Sequence, residues 1–267
     1  MKIHHFLFAL ILLSSSCMWG TPNKPKPDIT TDTFTYTYQT VKQRAADCGN
    51  KPDSGCTIAK IKYPVFADQK NLNDSVVNKI VNLFKIDDVN TATWDLKIYS
   101  QSFIDGYEKN KTKYHAIEHY SLNTRANILR QDSSLTTLEI DGKAIQDGFR
   151  ENAMTTYINW NTKANKNVKL TDVLINGYLA ELSKIAENIF RKQEKLSDTA
   201  SLKKDYFFKD GKFALNQNYS ITPLGIKFLY NVYEIKPYAA GTTDLFIPYA
   251  QIKSLLKPNT VITQYLK

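Results

Sequence analysis

The chain has 267 residues, of which 42% are hydrophobic and 23% charged, enough apolar side chains for a packed core, which excludes general disorder. Its 10 glycines and 9 prolines are too few for a collagen-like or low-complexity class. The net charge of +9 favours anionic partners such as nucleic acid, acidic glycans or phospholipid surfaces. The lysines are dispersed, with no long basic run, so a solvated lysine-rich surface explains them as well and nucleic acid is not expected.

The N-terminus reads as an address. Lys2 precedes an apolar run, Phe6 to Leu13, of signal-peptide length and too short to span a bilayer as a mature helix. Ser14, Ser15 and Ser16 then lead to Cys17. Small residues before a lone cysteine resemble a bacterial lipobox. The usual leucine three places before the cysteine is Ser14 here, with Leu13 one place earlier. Residues 1–16 are therefore expected to be a lipoprotein signal peptide and Cys17 the lipidated residue, with an ordinary secretory signal as the alternative. Residues 17–32 contain Pro22, Pro25 and Pro27 around Lys24 and Lys26 and read as an extended tether. No later segment reads as a membrane span. The expectation is an exported protein, lipid-anchored to a bacterial envelope membrane, periplasmic or at the cell surface.

With Cys17 lipidated, Cys48 and Cys56 remain as an even pair flanking a turn-rich segment of Gly, Asn, Pro and Asp. A disulfide pinning a hairpin tip fits an oxidising compartment. A metal pair would need further ligands, and no other cysteine or nearby histidine supplies them.

In chain order, Phe34, Tyr36 and Tyr38 alternate with threonines across 33–45, a period-two strand, and Thr57 to Val65 pairs back with it. Leu72, Val76, Ile80, Leu83 and Phe84 fall at helical spacing, with Asn71 as N-cap, and Leu96, Tyr99, Phe103 and Tyr107 mark a second helix. Residues 113–130 and 134–146 read as long strands joined at Asp132-Ser133, followed by a strand at Ala153–Trp160 and a polar turn from Asn161 to Asn167. Leu174, Tyr178, Leu182, Ile185 and Ile189 mark one helix ending near Lys192. Beyond a polar connector, strands are expected at Lys212–Leu215, Gly225–Ile235 and Thr243–Ile247, then a short helix, Tyr249–Leu256, stopped by Pro258. Runs of strands with helices interposed give an α+β class: a mostly antiparallel sheet with helices packed on one face.

Chemistry is sparse. Beyond the leader the histidines are His115 and His119. On a strand they share a face but lie about 13 Å apart, too far for one metal, so no metal or cofactor is expected. No nucleophile elbow or phosphate-binding glycine loop occurs. Asp87-Asp88 reads as a solvated turn. A glycosidase's two carboxylates need not be close in sequence, so an envelope-glycan hydrolase or transferase stands as the alternative to a non-enzymatic module. Sequons start at Asn73, Asn110 and Asn218 and are expected to be unused; Ser75 and Thr199 sit in short O-glycosylation-like tripeptides.

The C-terminal third carries a resemblance. Phe213-Ala-Leu-Asn-Gln-Asn-Tyr219 precedes Gly225-Ile-Lys-Phe-Leu-Tyr-Asn-Val-Tyr-Glu-Ile-Lys-Pro-Tyr-Ala-Ala-Gly241, then Leu245-Phe-Ile-Pro-Tyr249. Together with Val168-Lys-Leu-Thr-Asp-Val-Leu174 and Lys60-Ile-Lys-Tyr-Pro64, this resembles the PdaC/RsiV-like family, over most of 33–256 and in two halves, 33–160 and 161–267. In that motif Tyr233, Tyr238 and Tyr249 stand beside a reversal bracketed by Pro237 and Gly241, packing as a first role and binding as a second. The resemblance implies an envelope-facing module. One branch of the family is a membrane sensor that binds lysozyme; another precedes a peptidoglycan deacetylase domain. The sequence shows no sensor-type membrane helix or deacetylase domain, so signalling and deacetylation are not carried over. The expected partners are an envelope glycan, a wall-degrading enzyme such as lysozyme or another envelope protein, and the membrane through the N-terminal lipid. A basic chain suits an anionic wall fragment better than a basic lysozyme.

Overall fold

A computed structural model of the chain describes residues 33–84, 93–114, 118–146 and 151–266. The leader, Cys17, the tether, Asp87-Asp88 and His115 lie outside the described residues. The alternating first segment forms β1 (Tyr36–Arg44), paired antiparallel with β2 (Ile58–Phe66) from Tyr36 opposite Phe66 to Arg44 opposite Ile58. A Cys48–Cys56 disulfide, with Cα atoms 5.3 Å apart, closes the connecting loop.

Helix α1 (Lys70–Val81) buries Leu72, Val76, Ile80 and Val81. It starts at Lys70, so Asn71 lies inside its first turn instead of capping it. The side chain that ties this helix to the sheet is Asn73, which accepts from the Phe66 N–H at 2.9 Å and donates to the Phe66 carbonyl at 2.8 Å. Helix α2 spans Leu96–Tyr114 and buries Tyr99, Phe103 and Tyr107. The expected strand from residue 113 is therefore corrected: β3 is Ser121–Gln131. The polar stretch that follows Tyr107 is rich in lysine, a good helix former, and Lys111 and Lys113 suit the negative end of the helix dipole.

Strands β4 (Leu135–Ile145), β5 (Asn152–Asn161) and β6 (Lys166–Asn167) complete a six-stranded sheet in the order β1-β2-β3-β4-β5-β6. Only β2 and β3 are parallel, the chain passing through α1 and α2 between them. The class is α+β with a mostly antiparallel sheet. Residues Leu138, Ile140 and Ala144 of β4 and Ile158 and Trp160 of β5 join α1 and α2 in one buried core. Gly142 permits this approach, since a Cβ there would stand 2.6 Å from Leu83 Cδ2.

A second core takes Leu135 from the sheet and otherwise residues from Val168 onward. The helix expected from Leu174 begins later, as α4 (Leu179–Gln193), and a short helix the sequence did not show, α3 (Leu170–Val173), precedes it. Leu174 is extended and bridges to Leu256, and Gly177 turns the chain at φ 78°, a conformation open to glycine. Helix α4 buries Leu182, Ala186 and Phe190. Residues 212–215 are not a strand: Phe213 and Leu215 dock as irregular chain against this core, which produces the same alternation. A three-stranded antiparallel sheet follows, β7 (Tyr219–Ile221), β8 (Gly225–Tyr230) and β9 (Thr243–Pro248), of which β7 was not legible. Strand β8 stops at Tyr230 because the Glu234 carboxylate accepts from the Asn231 N–H at 2.7 Å and starts a turn. Residues 249–255 form two 3-10 turns in place of the expected helix.

Asparagines join the two sheets. Asn159 donates to the Tyr219 carbonyl at 2.8 Å and accepts from the Ile221 N–H at 2.7 Å. Asn231 accepts from the Thr155 N–H at 2.7 Å, and Asn218 donates to the Thr155 carbonyl at 2.8 Å. The odd-numbered face of β5 thereby carries the second sheet, while its even-numbered face meets α1.

Candidate functional site

A polar cleft of about 480 Å³ opens where the second core meets the end of the large sheet. Three segments of the chain build it. The β5–β6 turn brings Asn161, Lys163 and Lys166; the β3–β4 turn brings Ser134; the C-terminal segment brings Thr260. Val168, Val173 and Val261 supply apolar lining. The turn is local chemistry: Asn161 accepts from the Ala164 N–H at 2.8 Å, and Asn165 adopts a positive φ of 51° that asparagine tolerates.

Asp172 is the one carboxylate of the lining, and it is committed. It accepts from the Lys169 N–H at 2.8 Å, capping α3, and lies 3.5 Å from Lys166 Nζ. Ser134 Oγ, Lys163 Nζ and Thr260 Oγ1 make no hydrogen bond within the described residues, and Thr260 Oγ1 is itself buried. The cleft thus offers the Ser134 hydroxyl, the Lys163 ammonium and apolar patches, with the Thr260 hydroxyl behind its surface, at a volume suited to one or two sugar units. Hydrolysis of a glycoside would call for two working carboxylates, which this lining does not hold.

The wall formed by the C-terminal segment is fixed at Asp132. Tyr265 donates its hydroxyl to that carboxylate, Gln264 Nε2 donates at 3.0 Å, and the N–H groups of Ser134 and Leu135 donate at 2.9 Å each. Arg130 Nε stands 2.8 Å away. Burial alone would raise the Asp132 carboxyl, but these hydrogen bonds outweigh it and hold it at about 2. Burial and the Asp132 contact push the Tyr265 phenol up to about 12.

The three sequence-selected tyrosines have separate neighbours. Tyr233 is 65% exposed, with its ring 5.5 Å from that of Phe207 and φ at 65°. Tyr238 is half-buried and donates to the Glu151 carbonyl at 3.0 Å. Tyr249 is buried and donates to the Thr222 carbonyl at 2.9 Å, and burial pushes its phenol up. His119 is exposed just before β3. Asn73 and Asn218, two of the sequon asparagines, are both engaged in the backbone contacts described above. Among the described residues no three His, Cys, Asp or Glu side chains are grouped to hold a metal ion, and no helix is long and apolar enough to cross a membrane.

The cleft residues escaped the sequence reading because they come from three separated segments. The polar turn 161–167 was legible as a turn; its meeting with Ser134 and Thr260 was not.

Fold and cleft together define a two-sheet α+β module with a small polar cleft. Residues 171–250, which run from α3 through β9, match the family model described as "Protein of unknown function (DUF3298)". No curated protein matches the chain. Solved structures that share the fold include two from this family. A DUF3298 family protein from Pseudomonas aeruginosa PAO1 is 20% identical with a TM-score of 0.68, covering 85% of this chain and 95% of its own. A member of the same family from Bacteroides fragilis NCTC 9343 is 22% identical with a TM-score of 0.66, covering 87% of this chain and 97% of its own.

Proposed function

We propose that the protein is an exported, lipid-anchored envelope module that binds a cell-wall glycan without transforming it. The observation that carries this reading is the cleft: sugar-sized, with the Ser134 hydroxyl and the Lys163 ammonium free of partners among the described residues, Lys166 beside them, and one committed carboxylate. Unpaired hydroxyl and ammonium groups suit a polyhydroxylated ligand bearing a carboxylate, such as a muramyl unit of peptidoglycan. The exposed Tyr233–Phe207 pair is a second, aromatic contact for an extended glycan. Cys17 is the proposed lipid attachment, holding the domain through the 17–32 tether.

Co-sedimentation of the protein with insoluble peptidoglycan, beside capture on immobilised lysozyme, tests the reading. Retention on peptidoglycan at moderate salt, with no turnover of the glycan, supports it. Retention on lysozyme alone replaces it with an enzyme-sensing or inhibitory role, and release of soluble glycan fragments replaces it with catalysis.

A further inference from the structure

The two sides of the six-stranded sheet differ in what covers them. One side is packed by α1 and α2; on the other, among the described residues, the second sheet packs on β5 and reaches Thr137 of β4, leaving β1, β2 and the Ser121–Arg125 half of β3 uncovered. Strand register aligns the side chains of the uncovered part in rows. Lys42, Lys60, Asn123 and Lys143 are consecutive partners across β1 to β4. Thr40, Lys62, Arg125 and Asp141 form the adjacent row. Opposite residues stand about 5 Å apart and the rows about 7 Å apart. All five cations are exposed.

This arrangement opposes the fold. Lys42 lies directly opposite Lys60, and Lys62 directly opposite Arg125. Like charges at directly opposed positions destabilise a sheet. At the margins the repulsion is relieved: Asp53 holds Lys42 at 2.8 Å and Glu151 holds Lys143 at 2.8 Å. Asp141 accepts from Asn127 at 3.2 Å. In the centre, Lys60, Lys62 and Arg125 have no carboxylate within ion-pair distance among the described residues. Lys62 instead lies over the Tyr38 ring, 5.0 Å from its centroid. An anion laid across the face would relieve the central repulsion.

We infer that this face is a docking surface for a linear acidic polysaccharide, its carboxylates running over Lys60, Lys62 and Arg125. Thr40 and Asn123, interleaved in the same rows, supply hydrogen-bonding groups for sugar hydroxyls. Tyr38, at the edge and 42% exposed, supplies a ring for a sugar face. Neither row contains an aliphatic side chain for insertion into a bilayer, nor an aromatic ladder for nucleic-acid bases. The inference is independent of the cleft, which lies at the other end of the large sheet.

The test is retention of the full chain on immobilised alginate, with neutral dextran, polyphosphate and phosphatidylglycerol vesicles in parallel. The double variant Lys60→Glu/Lys62→Glu converts both like-charge pairs into opposite-charge pairs, so it should unfold at the same temperature as the native chain or higher. Expected are alginate binding that weakens with salt, at least a tenfold loss in this variant, and no change in Lys184→Ala, an exposed lysine of α4 outside both this face and the cleft. Equal binding to dextran, undiminished binding by the double variant, tighter binding to polyphosphate or vesicles, or an equal loss in Lys184→Ala would each overturn the inference.

Discussion

Tyr265, beside the C-terminus, donates its hydroxyl to Asp132 in the β3–β4 turn, 133 positions earlier in the chain. This contact holds the C-terminal wall of the cleft against the large sheet. The Asp132 carboxyl sits at about 2, below its ordinary 3.8, so the folded state favours the ionised form. The resulting stabilisation is complete above pH about 4 and is lost as pH falls through about 2. After solvent screening it amounts to about 1–2 kcal/mol. Tyr265→Phe should lower stability by about 1 kcal/mol and move the Asp132 titration upward, toward its ordinary value. Urea denaturation at pH 7 and at pH 3, with carboxyl NMR titration, checks both effects.

Asn159 satisfies two backbone groups of β7 at once. Asn159→Ala leaves the Ile221 N–H and the Tyr219 carbonyl without these partners in a buried seam. The expected loss is about 2–3 kcal/mol in a denaturant melt. Hydrogen exchange should show the Ile221 amide losing protection before those of β3 and β4.

The Cys48–Cys56 bridge spans a sequence separation of 8. Replacing both cysteines by serine should cost about 2–3 kcal/mol by enlarging the unfolded ensemble. The large sheet should persist, because Ala59, Ile61 and Phe66 of β2 remain in the core. Circular dichroism and thermal melts of the native and double-serine chains measure this.

Lipid attachment is expected at Cys17. A chain carrying Cys17→Ala should take up no labelled palmitate in the producing cell, and the native chain should take it up and partition with membranes. Label retained in the alanine variant would place the anchor elsewhere.

Much of the large sheet was legible because its strands alternate cleanly and its turns announce themselves, as at Asp132-Ser133. The Cys48–Cys56 pairing followed from cysteine arithmetic and the turn residues between them. Helix α2 was cut short because the stretch after Tyr107 has too few apolar residues to show a period. The break at Leu174 was hidden because Leu174 and Tyr178 keep helical spacing while one bridges to Leu256 and the other precedes α4. The cationic face was invisible for a related reason. Its lysines are scattered in sequence, and only the parallel register of β2 on β3 brings Lys62 opposite Arg125.

The central claim is that the cleft is a glycan site. Its most direct test is an NMR titration of the native chain with a soluble peptidoglycan disaccharide carrying its peptide carboxylate. The account predicts saturable shifts confined to residues 161–173, Ser134 and the 258–262 segment, weakened at least tenfold in Ser134→Ala/Lys163→Ala with the fold intact. Shifts absent from the cleft, or binding indifferent to that double substitution, would contradict it.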